Sequence, residues 1–193
     1  LFRDFQPELV FHTAALRHEG TIRQQLGTAL SINLGGTINV ADAAIAAGAG
    51  TMVHVSTDRA TRSSSAMGAT KRLAELYLEL VASRPAAGAP GIRTRFLSVR
   101  FGNVFSTNGT NVSTIRAQTA RGGPVIVPAG EDGHLIPIDE AVARVMRATA
   151  PFIENGGAIL VPVDLGPSMM LTALAAKIIR LSGLEPEIDV EIV

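Results

Sequence analysis

Hydrophobic residues recur along this chain with two alternating spacings. Residues 51–56 form a short apolar run with β-branched Val53 and Val55, which is typical of a strand. Residues 67–81 instead carry apolar residues three and four apart, the spacing of a helix. The same reading predicts further strands at residues 8–13, 94–100, 125–127 and 158–163, and further helices at residues 31–47, 111–121, 138–150 and 171–182.

Capping and turn residues bound several of these elements. Ser31 is predicted to cap the helix at residues 31–47, and Gly48 to end it. Gly183 ends the last helix, and a proline- and glycine-rich loop at residues 85–91 separates a helix from a strand. Strands that alternate with helices predict an α/β fold with a parallel sheet, whose ligands lie at the carboxyl ends of the strands.

One predicted strand-to-helix junction gathers chemically active side chains. Ser56-Thr57-Asp58-Arg59 follows the strand at residues 51–56. Met67 and Lys71 are four apart in the next helix and therefore share a face. A hydroxyl, a carboxylate and a lysine around one junction predict a reaction centre.

Composition narrows the classes of function. The chain has 193 residues, 47% hydrophobic and 18% charged, enough to bury a core of about one domain. Its formal net charge is zero and no long basic run occurs, so we expect neither nucleic-acid binding nor membrane contact. With no cysteine, disulfides and thiolate metal sites are excluded, which fits a reducing, cytoplasmic compartment.

The histidines do not predict a metal site. His54 and His134 have no partners at metal-ligand spacing, so none is expected. His12 lies inside an apolar strand, where a hydrogen-bonded core residue is the simpler interpretation than a catalyst.

A glycine pair that resembles a dinucleotide fingerprint is misplaced for that role. Gly48-Ala49-Gly50 follows a helix and precedes a strand, whereas a pyrophosphate cradle needs a strand, a glycine turn and then a helix. The chain also begins without methionine, in what reads as a helix leading into a strand. We therefore expect a piece of a longer protein whose phosphate-binding half precedes Leu1.

Six blocks in order carry a family resemblance. They are Phe11-His12-Thr13-Ala14-Ala15-Leu16-Arg17-His18, Asn33-Leu34-Gly35-Gly36-Thr37, the segment from Ser56 to Glu75, Val99-Arg100-Phe101-Gly102-Asn103-Val104, Gly122-Gly123-Pro124-Val125 and Ile179-Arg180-Leu181-Ser182-Gly183-Leu184. The chain resembles the capsular-polysaccharide dehydratase family, the UDP-N-acetylglucosamine 4,6-dehydratases. These are extended short-chain dehydrogenases/reductases related to nucleotide-sugar epimerases.

The resemblance implies an architecture and a set of ligands. It implies a Rossmann-like parallel sheet without its first strands in residues 1–105. Residues 106–193 would combine a small substrate-binding lobe with returning Rossmann elements. The implied cofactor is NAD or NADP, the substrate is a UDP-sugar, and a homo-oligomer is expected. The longer protein would be cytoplasmic, with an inner-membrane anchor ahead of Leu1 if it belongs to the membrane-associated branch.

Site residues follow from the same match. The positions that match the cofactor side are Ala14, Ala15, Leu16, Asn33, Ser56 and Lys71, of which Lys71 corresponds to the lysine that holds the nicotinamide ribose. The positions implied in catalysis are Thr57, Asp58, Arg59, Met67 and Lys71. The positions assigned to the substrate are Arg17, His18, Arg100 and Asn103. Met67 stands where many relatives have tyrosine, and methionine there points to the membrane-associated branch.

Arg59 is the weak point of a dehydratase assignment. The family reaction oxidises sugar C4, removes the C5 proton, expels the C6 hydroxyl and returns the hydride at C6, so it needs an acid and a base. Asp58 would be the acid if burial raised its pKa. Relatives carry lysine where this chain has Arg59, and a guanidinium stays protonated and has no acceptor lone pair.

Three explanations for Arg59 stay open. The enzyme is impaired, another group such as Asp58 takes the proton, or a general exchange of lysine for arginine has reached a site that does not tolerate it. The last is considered because only two of the 17 basic residues are lysines, Lys71 and Lys177. The substrate loop at residues 128–135 also departs from relatives and lacks an arginine for phosphate, for which Arg100 or Arg116 would have to compensate.

The sequence thus predicts a nucleotide-sugar 4,6-dehydratase, inactive or impaired as a separate piece, that acts in bacterial polysaccharide precursor synthesis. One alternative is a nucleotide-sugar epimerase of the same superfamily. The other is a non-catalytic module for nucleotide-sugar binding or assembly, which Arg59 and the altered loop favour.

Overall fold

A computed structural model describes residues 1–61, 65–83, 93–104, 111–127, 132–155, 160–162 and 168–193. They form two compact units, one of Leu1–Phe101 with Arg144–Val163 and one of Gly102–Ala143 with Asp164–Val193. The sequence placed the division after residue 105 and expected later elements to return to the first unit. The predicted loop at 85–91, the ends of the predicted strand at 158–163 and the first part of the altered loop, 128–131, lie outside the described residues.

The strands are β1 (Leu9–His12), β2 (Thr51–Thr57), β3 (Arg95–Phe101), β4 (Asn103–Val104), β5 (Asp132–Ile136), β6 (Leu160–Pro162) and β7 (Ser168–Met170). The helices are α1 (Phe2–Phe5), α2 (Glu19–Gln24), α3 (Leu26–Leu30), α4 (Gly36–Ala47), α5 (Ala66–Ala82), α6 (Asn111–Ala120), α7 (Ile138–Asn155) and α8 (Leu171–Leu181). None of the helices in the described ranges is both long and apolar enough to span a bilayer.

The first unit is built on a parallel sheet. Its strand order is β1-β2-β3-β6, and all three pairings are parallel. The register places His12, His54 and Ser98 side by side on β1, β2 and β3. This arrangement, flanked by helices, confirms the predicted α/β class.

Both faces of this sheet are buried by helices. Successive strand residues point to opposite sides and so belong to different faces. On one face Met52 and Phe96 pack with Leu78 and Val81 of α5 and with small residues of α4. On the other face Val53, Leu97 and Val99 pack with Val145 and Phe152 of α7. The near-continuous burial of β2 is the pattern expected of a central parallel strand.

The helix that was predicted to begin at Ser31 starts earlier. Residues of α3 run through a π-helical turn, Ser31–Gly35, directly into α4. Ser31 has helical angles, φ −61° and ψ −41°, so its assignment as a cap was wrong. Ser31 itself is exposed, and the burial of Ala29 and Asn33 on either side keeps the chain helical through it, since tertiary context outweighs propensity. Gly48 ends the helix as predicted, with a left-handed φ of 71°.

The second unit contains a smaller, mixed sheet. Strand β4 pairs with β5 in parallel and β5 pairs with β7 antiparallel. Helices α6 and α8 meet over a core that includes Ile115, Leu174 and Ile178. The predicted strand at 125–127 is a single bridge between Val125 and Ile192, extended by a hydrogen bond from Val127 N to Val193 O.

Candidate active site

The predicted reaction centre lies at the carboxyl end of β2. Thr57 ends that strand, and Asp58 and Arg59 begin a 3₁₀ turn, Asp58–Thr61. Asp58 Oδ1 accepts hydrogen bonds from Thr57 Oγ1 at 3.0 Å and from the Arg59 backbone N–H at 2.8 Å. Two donors therefore fix the direction of a half-buried carboxylate.

Helix α5 follows and is capped as its sequence requires. Ser65 has extended angles, and its Oγ accepts a hydrogen bond from Gly68 N at 3.1 Å. Met67, half-buried, accepts a hydrogen bond at its backbone oxygen from Thr70 Oγ1. Lys71 follows one turn after Met67 and is 4% exposed.

The Lys71 ammonium points at a histidine of the sheet. Its Nζ lies 2.9 Å from His54 Nε2, and His54 is fully buried. Burial lowers the pKa of Lys71 to about 8, although the nearby charge of Glu75 opposes that change. The sequence analysis assigned no role to His54. The available signal was that His54 is a polar residue at an inward-facing position of a central strand, opposite the helix that carries Lys71.

His12 and His54 form a buried pair. Their rings stack with centroids 5.8 Å apart and an angle of 25° between planes. His12 Nε2 lies 3.1 Å from Thr37 Oγ1, which donates its own proton to the Asn33 carbonyl oxygen, so Nε2 is the donor. Desolvation, and then the charge of Lys71, lower the pKa of both histidines. The interpretation of His12 as a hydrogen-bonded core residue is confirmed.

Asn33 links the loop after β1 to helix α5. Its Oδ1 accepts a hydrogen bond from Leu16 N at 2.7 Å, and its Nδ2 donates to Leu16 O and to Thr70 Oγ1, each at 2.9 Å. The π-helical turn places this side chain where it is fully buried. Ala14 and Ala15, beside Leu16, are exposed. Asn33 thus holds the loop that the resemblance assigns to the cofactor.

A buried carboxylate joins the ends of β2 and β3. Glu75 is fully buried and accepts hydrogen bonds from Ser56 Oγ at 2.5 Å, from Arg100 Nε at 2.8 Å and Nη2 at 2.5 Å, and from Arg72 at 3.1 Å. Burial alone would raise the pKa of Glu75, but the hydrogen bonds from Arg100, Ser56 and Arg72 outweigh it and hold that pKa below its ordinary value. The sequence analysis missed this role of Glu75.

Two predicted ligand-binding residues are therefore engaged within the protein. The Ser56 hydroxyl donates to Glu75, and the Arg100 guanidinium grips the same carboxylate with two nitrogens. The roles of Ser56 toward the cofactor and of Arg100 toward the substrate stay predictions. In the structure both residues hydrogen-bond Glu75 and so have a structural role at the strand ends.

The other predicted substrate residues lie in different places. Arg17 and His18 are exposed before α2, whereas Asn103 belongs to β4 of the second unit. Arg116, the other candidate for phosphate, is exposed on α6 of that unit. Within the described ranges no three histidine or acidic residues are grouped to hold a metal ion.

Proteins of known sequence resemble this chain over most of its length. It is 34% identical over 188 residues to the capsular polysaccharide biosynthesis protein CapD of Staphylococcus aureus and 35% identical over 189 residues to the probable polysaccharide biosynthesis protein EpsC of Bacillus subtilis. Each match covers 97% of this chain and 30% of the relative. It is also 29% identical over 170 residues to a UDP-N-acetylglucosamine 4,6-dehydratase (inverting) of Campylobacter jejuni, covering 87% of this chain and 48% of that protein.

Solved structures share the fold. Pen from Bacillus thuringiensis superposes with a TM-score of 0.80 at 25% identity, over 96% of this chain and 56% of that one. MoeE5, solved with UDP-glucose and NAD, also has a TM-score of 0.80, at 20% identity, over 96% of this chain and 65% of its own. The family model described as polysaccharide biosynthesis protein matches residues 1–193. The chain therefore belongs to the polysaccharide biosynthesis protein family, the family that its ordered sequence blocks indicated.

Proposed function

We propose that this chain supplies the nicotinamide- and sugar-facing residues of an NAD(P)-dependent nucleotide-sugar 4,6-dehydratase of the UDP-N-acetylglucosamine type, acting in polysaccharide precursor synthesis. The observation that carries the proposal is the junction of β2 and α5. At this junction Thr57 and the Arg59 backbone N–H orient the Asp58 carboxylate, and Lys71 is buried on the helix that follows. The Campylobacter jejuni relative, whose name states this activity, supports the choice of reaction.

The residues present fit the nicotinamide end of a dinucleotide. Lys71 offers ammonium hydrogens to ribose hydroxyls, and Asn33 fixes the Leu16 backbone of the adjoining loop. The exposed alanines Ala14 and Ala15 leave that loop without bulky side chains that would obstruct a flat ring. NAD is the form present in the MoeE5 structure, and the proposal extends to NADP.

The reaction needs several proton transfers, and Asp58 fits one of them. NAD(P) held by Lys71 and the Leu16 loop would supply the redox chemistry, as acceptor and donor of hydride. Asp58, protonated before this step, donates its proton to the departing C6 hydroxyl, which leaves as water and returns Asp58 to its carboxylate form. Thr57 hydrogen-bonds Asp58 and directs its carboxyl group. The group that removes the C5 proton must be other than Arg59, because a guanidinium has no lone pair to accept it.

Arg59 favours a second candidate function. A chain that binds NAD(P) and UDP-sugar without removing the C5 proton would act as a nucleotide-sugar-binding module. Binding would then persist while dehydration would be absent. The epimerase alternative predicts turnover with a different product.

Incubation of the full-length protein with UDP-N-acetylglucosamine and NAD(P) tests these functions together. Mass spectrometry and NMR of the product distinguish a 4-keto-6-deoxy sugar, which supports the dehydratase, from a C4 epimer of unchanged mass. Calorimetry with UDP-sugar and the absorbance of bound nicotinamide measure binding without turnover. If wild-type protein binds both ligands but forms no product, and Arg59→Lys does form product, the results support an impaired dehydratase. If neither ligand binds, the proposal is overturned. Asp58→Asn serves as a matched variant that should bind but not turn over.

A further inference from the structure

Lys71 and His54 form a buried amine–imidazole contact. Lys71 Nζ lies 2.9 Å from His54 Nε2, with 4% of Lys71 and none of His54 exposed. An ammonium group can only donate hydrogen bonds. With Lys71 protonated, Nε2 must accept, so the imidazole proton lies on Nδ1 and faces Ser98 Oγ at 3.3 Å.

Neighbouring strands hold this imidazole in place. The register sets His54 between His12 on β1 and Ser98 on β3. The His12 ring stacks on one side, and the Ser98 hydroxyl meets Nδ1 on the other. In the described part of the chain, His54 is also the side chain that supplies Lys71 Nζ with a hydrogen-bond acceptor. Removing that acceptor would leave a buried ammonium unsatisfied.

We propose that His54 is a positioning residue for Lys71, whose Nε2 anchors the lysine Nζ beneath the carboxyl end of the sheet and keeps it protonated where cofactor would bind. The mechanism proposed above does not use His54.

Burial and several charged groups set the pKa of Lys71, in addition to its contact with His54. Burial lowers the pKa of Lys71 to about 8, and Glu75 on the same helix raises it. Arg100 on β3 binds the Glu75 carboxylate, and its positive charge offsets part of the rise that Glu75 causes in the pKa of Lys71. His12 and His54 face Lys71 from β1 and β2, and burial keeps both neutral at pH 7. The other charged residues on the elements packed against α5 are Asp58, Arg59, Glu19, Arg23, Asp42 and Arg95.

The direct test is titration of the Lys71 amine by ¹⁵N NMR in the full-length protein. Lys71→Arg identifies the signal, and exposed Lys177 serves as an internal reference. His54→Met removes the acceptor and keeps an apolar side chain, and we expect the Lys71 midpoint to fall by about one to two pH units. His54→Gln places an oxygen near the Nε2 position and should restore the midpoint. An unchanged Lys71 midpoint in folded His54→Met overturns the proposal.

Ser98→Ala keeps the test decisive if His54→Met does not fold. Without the Ser98 hydroxyl the proton is free to move to Nε2, which would then donate to a neutral amine. The Lys71 midpoint should fall in this variant too, and an unchanged midpoint counts against the proposal. The lysine titration needs no turnover, so it stands apart from the proposed dehydratase function on which the cofactor role rests.

A second readout connects the contact to the cofactor. NAD affinity measured from pH 6 to 10 should decline as Lys71 loses its proton, and the decline should begin about one pH unit lower in His54→Met. At pH 8 a midpoint one unit lower should make binding by that variant about fivefold weaker than by wild type, and the difference should approach tenfold above pH 9. A merely structural role would weaken binding equally at every pH. Such a uniform loss contradicts the proposal.

Discussion

Gly68 has no room for a side chain, because the backbone of Arg59 lies directly against it. A Cβ at Gly68 would be 2.5 Å from the Arg59 carbonyl oxygen and 3.0 Å from its carbonyl carbon. This close approach fixes the 3₁₀ turn that carries Asp58 onto the first turn of α5. The separation between Asp58 and Lys71 is therefore set by a glycine that takes no part in chemistry.

Gly68→Ala should lower stability despite alanine's higher helix propensity. The overlap is with backbone, which cannot rotate away, so we expect a net loss of about 1–3 kcal/mol in the free energy of unfolding. Urea denaturation measures it. Gly36→Ala in α4 is the matched control, because a Cβ there meets nothing within 4 Å, and this change should be neutral or stabilising. Equal stability of Gly68→Ala and wild type would contradict the close approach.

Glu75→Gln should destabilise the junction between β2 and β3. It leaves Arg100, whose side chain is 12% exposed, without a charged partner, and breaking a buried pair in this way costs about 3 kcal/mol or more. The pKa of Glu75 is held below its ordinary 4.5, so its stabilisation is complete above pH 4.5 and is lost as pH falls through the lower folded value.

The wild-type advantage over Glu75→Gln should thus stay constant from pH 5 to 7 and shrink at more acidic pH, as followed by urea denaturation. Glu79→Gln is the control, since Glu79 also pairs with Arg72 but is about a third exposed. Its effect should stay below about 1 kcal/mol. Similar losses in both variants would mean that burial of Glu75 has no special importance.

Local patterns predicted the strands of the first unit but not its helices α2 and α3. Apolar runs located β1, β2 and β3 within one or two residues. Gly48 in the first unit and Gly183 in the second mark helix ends with the left-handed angles that favour glycine. Ser65, by contrast, was not recognised as the cap of α5. A serine cap is a weak signal when two other serines precede it.

Side-chain partners across the sheet could not be predicted from the sequence. His54 meets Lys71, and Ser56 meets Glu75, only because the parallel register and the antiparallel course of α5 bring them together. Short strands such as β7 were missed for a related reason. Their three residues carry too little periodicity to stand out from a loop.

Arg59→Lys should increase dehydration by the full-length protein. Lysine provides an amine that can lose its proton, whereas arginine stays charged at any accessible pH. If C5 proton removal limits turnover, the gain should be tenfold to a thousandfold in kcat with little change in KM. The Arg59 backbone N–H bonds to Asp58 and Thr57, and it is retained in the variant.

Product formation from UDP-N-acetylglucosamine measures that gain. Arg72→Lys on α5 is the control, because it makes the same exchange at a residue assigned no contact with ligand. Unchanged turnover in Arg59→Lys would show that Arg59 is not the limiting defect and that another group already takes the proton.

Lys71→Met should make the protein more stable while impairing NAD binding. The pKa of Lys71 falls from 10.5 in the unfolded chain to about 8 in the folded protein, so the folded state binds fewer protons. Burying the charged amine therefore costs stability, on the order of 3 kcal/mol. The whole cost applies below pH 8, and none of it remains above pH 10.5. Loss of the His54 contact offsets part of the gain.

Urea denaturation of both proteins at several pH values tests this sign. Wild-type stability should rise relative to Lys71→Met between pH 8 and 10.5, because only the unfolded wild-type chain still binds the proton there. Lys177→Met, at an exposed residue of α8, should show no such pH dependence. The opposite result would be a stability of Lys71→Met, measured relative to wild type, that is lower at pH 7 than at pH 10. That result would mean that the folded protein stabilises the Lys71 ammonium, because its contacts with His54 and Glu75 outweigh burial.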